Sequence, residues 1–140
     1  MYLLDTNVIS EFRRPRPHGA VVAWIQGIAD DDLHLSAVTL GELQAGVEIT
    51  REQDPVKATE IETWIDQIAQ TWNVLSLDGR ILRIWAKLMH RQQEHLLEDA
   101  MIAATAIVHN LIVVTRNERD FANFGVRIFN PFEERGDRQR

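Results

Sequence analysis

Near the amino terminus, Tyr2-Leu3-Leu4 runs straight into Asp5, and a helix-compatible segment, Val8-Ile9-Ser10-Glu11-Phe12, follows at once. The apolar run fits a short buried strand with Asp5 at its carboxyl end. In open α/β sheets ligands bind at that end, where the strand stops and the chain turns into a helix. A carboxylate there is either a helix N-cap, its commoner role, or the first member of a site. The rest of the chain has to decide between the two.

Strands and helices alternate from there on. Arg13-Arg14-Pro15-Arg16-Pro17 ends the first helix in an extended loop, because two prolines cannot continue it. A second helix is predicted over 19–28, a turn at 30–32 and a strand over 33–35. Ser36 reads as an N-cap. The helix it opens carries Val38, Leu40, Leu43 and Val47, with Glu42 one and a half turns in. Asp54-Pro55 starts the next helix, with Ile61, Trp64, Ile65, Ile68 and Trp72 at helical spacing. Val74-Leu75 reads as a strand, and Asp78 caps a helix bearing Ile81, Ile84, Trp85, Leu88 and Met89. A polar connection over 90–95 leads to Glu98-Asp99, which opens the most apolar helix, 100–108, closed by Asn110. A strand follows over 112–114, then a loop or short helical turn over 115–121, and a last strand over 126–129. Asn130-Pro131 stops it. These elements predict one α/β domain over 1–132, with a central parallel sheet of about five short strands flanked by helices. Residues 133–140 read as a frayed tail.

Composition removes several function classes. With 140 residues, 45% of them hydrophobic, the chain can bury a core and is not expected to be disordered. It has no cysteine, so disulfides and thiolate metal sites are excluded, in keeping with a reducing cytoplasm. No apolar run reaches the roughly 18 residues of a membrane span, and the start lacks the basic and long apolar regions of a signal peptide. A formal charge of −6 argues against nucleic-acid binding by bulk charge. It leaves room for a nucleic-acid enzyme whose carboxylates hold divalent cations, since those are locally positive.

Four acidic residues stand apart from the surface charges. Asp5 follows the first strand, Glu42 sits in a helix among apolar neighbours, Asp99 lies in the first turn of the most apolar helix, and Asp120 follows the strand over 112–114. If the strands are parallel, two lie at carboxyl ends and the others can face the same edge. Several carboxylates cannot share a pocket as bare charges: some protonate, or cations sit between them. Mg²⁺ and Mn²⁺ prefer such oxygen ligands. In a hydrolytic site of this kind one ion activates a water and a second, about 3.5–4 Å away, steadies the leaving oxygen. The helix N-terminus should favour the ionised form of Asp99.

The pattern resembles the PIN-domain ribonucleases, specifically the VapC-type toxin half of bacterial type II (VapBC) toxin–antitoxin pairs. Four blocks carry the resemblance, in order and over nearly the whole chain: Leu3-Leu4-Asp5-Thr6-Asn7-Val8-Ile9-Ser10-Glu11, Leu35-Ser36-Ala37-Val38-Thr39-Leu40-Gly41-Glu42-Leu43, Glu98-Asp99-Ala100-Met101-Ile102-Ala103-Ala104-Thr105-Ala106, and Val113-Val114-Thr115-Arg116-Asn117-Glu118-Arg119-Asp120-Phe121. The resemblance implies a cytoplasmic, Mg²⁺-dependent endoribonuclease (Mn²⁺ serving as well) of PIN fold. It implies a homodimer held inactive by a small VapB-type antitoxin, and tRNA or ribosomal RNA as substrate. Asp5, Glu42 and Asp99 become the acidic triad, with Asp5 and Asp99 as the metal pair and Glu42 and Asp120 as further ligands. Asn117 or Asp120 fills the fourth position, and Asp120 is favoured because it brings a charge. Thr6, Asn7, Thr115 and Asn117 become the polar groups that orient carboxylates and waters. Either member of the tandem Glu98-Asp99 can point inward.

Each residue has a plainer reading. Asp5 alone is more often a cap, Glu42 a solvated helix residue, Glu98-Asp99 a response to the helix dipole, and Asp120 a turn cap. Arg13, Arg14 and Arg16 either contact RNA phosphates at the rim or belong to a solvated loop. The histidines show no metal-ligand spacing. Trp24, Trp64, Trp72 and Trp85 fall on apolar stripes and are expected in the core or at a dimer contact. Two rival functions stand beside the nuclease. One is a catalytically weak module that reaches operator DNA only through its antitoxin. The other is a phosphatase with an aspartyl nucleophile, disfavoured because Asn7 stands where such enzymes place a second aspartate.

Overall fold

The protein's structure, a computed structural model, describes residues 1–133. The tail expected over 133–140 lies outside the described residues except for Glu133. Five parallel strands form one sheet in the order β3-β2-β1-β4-β5: β1 Tyr2–Leu4, β2 Leu33–Ser36, β3 Asn73–Leu75, β4 Ile112–Val114 and β5 Ile128–Phe129. Seven α-helices connect them among the described residues: α1 Thr6–Ser10, α2 Gly19–Gln26, α3 Ala37–Arg51, α4 Pro55–Thr71, α5 Gly79–Met89, α6 Leu97–His109 and α7 Glu118–Phe121. No described helix is long and apolar enough to cross a membrane.

The central strand explains the two-layered core. Successive side chains on a strand point to opposite faces, and Leu3 and Leu4 are both fully buried. Leu3 packs with Val113, Ala100, Ala103 and Phe121 on one side of the sheet. Leu4 packs with Val8, Ile9, Leu33, Leu35 and Val114 on the other. Strands covered on both faces read as unbroken apolar runs, as β1 and β4 do. A third cluster, around Val47, Ala58 and Ile65, holds α3 against α4.

Local signals set most helix ends. Ser36, Asp54 and Asp78 accept from the backbone N–H groups of Val38, Lys57 and Ile81. Asn110 ends α6 in the left-handed conformation, φ 56°. Other ends differ from the sequence expectation. The first helix begins at Thr6 rather than Val8, because Asp5 caps it, and residues 11–13 continue as a 3₁₀ turn. The second stops at Gln26, two residues short of the expected end. The helix expected over 100–108 begins at Leu97, so Glu98 and Asp99 lie in its first turn, where the dipole favours acids. The polar connection over 90–95 contains the start of a 3₁₀ turn, Glu94–Leu96, and buries Leu96. The last strand keeps only Ile128–Phe129. The four tryptophans are half-buried and pack against the sheet's apolar clusters, in keeping with a core role.

The strand order fixes where a site can form. From β1 the chain winds outward through β2 and β3 on one side, then crosses to β4 and β5 on the other. The carboxyl ends of β1 and β4 therefore flank the point where the winding reverses, and crevices open there in α/β sheets.

Candidate active site

Asp5 sits at that point and is 4% exposed. Its backbone N–H donates to Val114 O at 2.9 Å, which locks the end of β1 to the end of β4. Its carboxylate is held from three directions. Oδ1 accepts from Thr6 N–H at 2.8 Å. Oδ2 accepts from the hydroxyl of Thr115, fully buried at the end of β4, at 2.8 Å and from Asn7 Nδ2 at 3.2 Å. Asp5 is thus both cap and site candidate, so the two readings do not compete. The loop after β4 is tied in as well: Asn117 N–H donates to Thr115 Oγ1 at 2.9 Å, and Arg116 N–H to Asn7 Oδ1 at 3.2 Å.

Glu42 projects from the second turn of α3, half-buried, and Oε1 accepts from the Thr6 hydroxyl at 2.7 Å. Thr6 and Asn7 are consecutive in α1, so one short turn aims both Glu42 and Asp5. Asp99 comes from the first turn of α6 and is half-buried, while Glu98 beside it is exposed. Asp99 is therefore the member of the tandem that faces the other acids. Asp120 lies half-buried in α7, whereas the Asn117 side chain is exposed.

Electrostatics show how closely these groups crowd. Burial, then the charges of Asp5, Asp120, Glu42 and Glu98, pushes the Asp99 carboxyl up to about 7. Burial also raises Asp5, against the pull of its hydrogen bonds, and the charge of Asp120 adds to the rise. Glu42 is raised by burial and by Asp5 and Glu98, opposed by the Thr6 hydroxyl. Desolvation and like charge raise the Asp99 carboxyl from its ordinary value, opposing the ionised form that the helix N-terminus favours.

Asp5, Glu42, Asp99 and Asp120 thus feel one another, and among the described residues none of them is in an ion pair with lysine, arginine or histidine. Among those residues, too, no three side chains already close on a common point as a finished ligand set. The donors fit a hard divalent cation. They are all carboxylate oxygens, uncompensated by a basic side chain, and their mutual repulsion is what such a cation relieves.

Beside Glu42 opens a cavity of about 340 Å³, lined among others by Thr6, Arg13, Leu43 and Trp64. The three arginines of the first loop have different fates. Arg13 stacks over Trp64 at 5.7 Å, Arg14 pairs with Glu11 at 3.5 Å, and Arg16 is exposed. Two residues near the site carry no clear signal in the sequence. Glu11, 5% exposed, accepts His18 N–H at 2.8 Å and so ties down the loop before α2. In sequence it stands only as the last residue of the first block that carries the resemblance. Arg116 lies 4.6 Å above the Phe132 ring, a contact across the fold that only its place beside Thr115 hints at.

Comparison with known proteins follows the same lines. The family model described as "PIN domain" matches residues 2–126. Toxin FitB of Neisseria gonorrhoeae is 36% identical, covering 96% of this chain and 100% of its own length. VapC ribonuclease Y4jK of Sinorhizobium fredii is 34% identical, covering 95% and 99%. The solved structure of FitAB bound to an IR36 DNA fragment superposes with a TM-score of 0.85 at 34% identity, over 96% of this chain and 97% of that one.

Proposed function

The chain belongs to the PIN-domain family, and on that premise we propose that it is the endoribonuclease toxin of a VapBC-type toxin–antitoxin pair. The observation that carries this reading is the meeting of Asp5, Glu42, Asp99 and Asp120 at one sheet edge without a basic partner among the described residues. The family is one of divalent-cation nucleases. Mg²⁺ is the cation we assign, with Mn²⁺ able to replace it, and tRNA or ribosomal RNA the substrate. The reaction belongs to the domain over 1–132 and takes place in the cytoplasm.

Asp5 and Asp99 would hold the cation, with Asp120 as a further oxygen ligand; Glu42 would either orient the attacking water or help hold the cation. When bound, it supplies the charge that lets these carboxylates ionise together, steadies the phosphoryl oxygens and makes water acidic enough to attack near neutral pH. The chain's own residues supply the order. Thr115 and Asn7 hold Asp5 Oδ2, so this carboxylate cannot rotate as RNA approaches. Thr6 fixes Glu42 through Oε1, leaving Oε2 to orient the attacking water and accept its proton. Attack is in line at phosphorus, and the leaving ribose oxygen departs on the far side.

A VapB-type antitoxin keeps the enzyme silent, with two copies of this chain in the complex. The solved FitAB assembly on DNA favours a second role for such a complex, at operator DNA, with the antitoxin making the DNA contacts. An acidic chain of net charge −6 suits that division. The nuclease reading is tested by brief expression of this chain alone. Growth should stop, new RNA 5′ ends should appear on sequencing, and Asp5→Asn should remove both effects. Arrest that persists in Asp5→Asn, or arrest without new ends, would refute it.

A further inference from the structure

We propose that Arg13 and Arg116 form a pair of phosphate clamps that seat the RNA strand on either flank of the carboxylate cluster. The proposal rests on the nuclease reading above and names what that site grips. Both side chains are exposed, and each guanidinium lies on an aromatic ring: Arg13 over Trp64 at 5.7 Å and Arg116 over Phe132 at 4.6 Å. Both border the cluster. Arg13 lines the cavity that Thr6 and Glu42 also line. Arg116 is bonded through its backbone to Asn7, which in turn donates to Asp5.

Stacking is what makes these two arginines unusual. A guanidinium beside an uncompensated group of carboxylates is drawn to pair with it. Among the described residues neither Arg13 nor Arg116 is in an ion pair. The rings hold them back at the rim. Phe132 is a firm support, since it is buried and its own N–H is held by Asn130 Oδ1 at 2.9 Å. A stacked guanidinium keeps its N–H edge in the plane, and that edge matches two phosphate oxygens at once. The acidic centre repels an RNA backbone on its own, so two fixed cations beside it supply the attraction that the net charge of the chain lacks. Thr6 and Asn7, adjacent in α1, lead to Arg13 and Arg116 respectively. The strand would lie across this turn, with the scissile phosphate over Asp5 and Asp99 and its neighbours on the two arginines.

The test uses the full chain, in two arms. Anisotropy of a labelled RNA on Asp99→Asn protein in Mg²⁺ buffer gives the salt slope of binding. Arg13→Gln and Arg116→Gln, added singly, should each reduce that slope by about 0.7, the share of one phosphate contact on a single strand. Arg116→Lys keeps the charge and should keep the slope, whereas Phe132→Leu removes the ring that holds the guanidinium at the rim and should lower the slope toward that of Arg116→Gln. In the cleavage arm each Arg→Gln variant should raise KM about five- to tenfold with kcat within about twofold. An unchanged slope in both Arg→Gln variants, or a fall in kcat at constant KM, would overturn the proposal. If wild-type protein does not cleave at all, the nuclease reading fails, while the binding slope still decides the arginines.

Discussion

Asp5 and Asp99 face the same sheet edge from the start of a helix, and their surroundings could hardly differ more. Asp5 receives Thr6 N–H, Asn7 Nδ2 and the Thr115 hydroxyl, all from elements anchored in the central strands. Asp99 meets mainly other acids and sits near neutrality in pKa, at about 7. One half of the pocket is finished by the fold alone. The other half has no basic partner among the described residues, and on the proposed reading a cation completes it. The difference teaches that an acidic pocket need not be built evenly: one carboxylate can be fixed in advance while another stays responsive to charge.

The sharpest way to break this comparison is to remove either carboxylate. Asp5→Asn and Asp99→Asn should each lower cleavage by about 10²–10³-fold or more, read in single-turnover assays. Their effects on stability should split. Asn at position 5 still caps α1 but loses a charged acceptor for Thr115 and Asn7, so the metal-free protein should lose about 1–2 kcal/mol in denaturant unfolding. Asn at position 99 relieves repulsion, so the same protein at pH 8 should gain stability. Equal losses in both would remove the distinction between the halves.

Thr115→Val tests the finished half from its support. It deletes the donor to Asp5 Oδ2 and the acceptor of Asn117 N–H, and should cost about 10–100-fold in activity or cation affinity. A change on the Asp99 side, Glu98→Gln, removes the weakest of the charges acting on Asp99 and should lower its pKa slightly, measurable by NMR titration.

The pH dependence sharpens the other half. In the folded protein Asp99 is raised from 3.8 to about 7, and Asp5 and Glu42 are raised as well. The folded state therefore binds more protons than the unfolded state between those values, and stability without cation falls as pH rises through them. Melting temperatures in EDTA should decline from pH 5 to pH 7.5. Added Mg²⁺ should flatten the decline, and Asp99→Asn should lessen it.

What the sequence made legible is what local chemistry decides. The capped starts at Ser36, Asp54 and Asp78, the stop at Asn110 and the apolar runs of β1 and β4 all announce themselves within a few residues. The four acids could be picked out because Asp5 follows an apolar strand, Asp99 opens an apolar helix, Glu42 stands among apolar helix neighbours and Asp120 follows the turn after β4. The strand order could not be read, since pairing β1 with β4 joins segments far apart in the chain. The rise at Asp99 was hidden for the same reason: the helix dipole is local, whereas burial and the charges of Asp5, Asp120 and Glu42 are brought by the fold. Arg116 on Phe132 and Thr115 on Asp5 are likewise products of the fold. The last strand reads longer in sequence because Val126 and Arg127 continue the apolar–polar alternation, although of the two only Arg127 bonds to the sheet, its carbonyl accepting Val113 N–H at 2.9 Å.

Single-turnover cleavage of RNA across a Mg²⁺ titration, with wild-type and Asp99→Asn protein side by side, tests the central claim most directly. Wild-type protein should be inert in EDTA and gain activity as the cation is added, while Asp99→Asn stays inert throughout. Cleavage by wild-type protein in EDTA, or full activity in Asp99→Asn, would contradict the account.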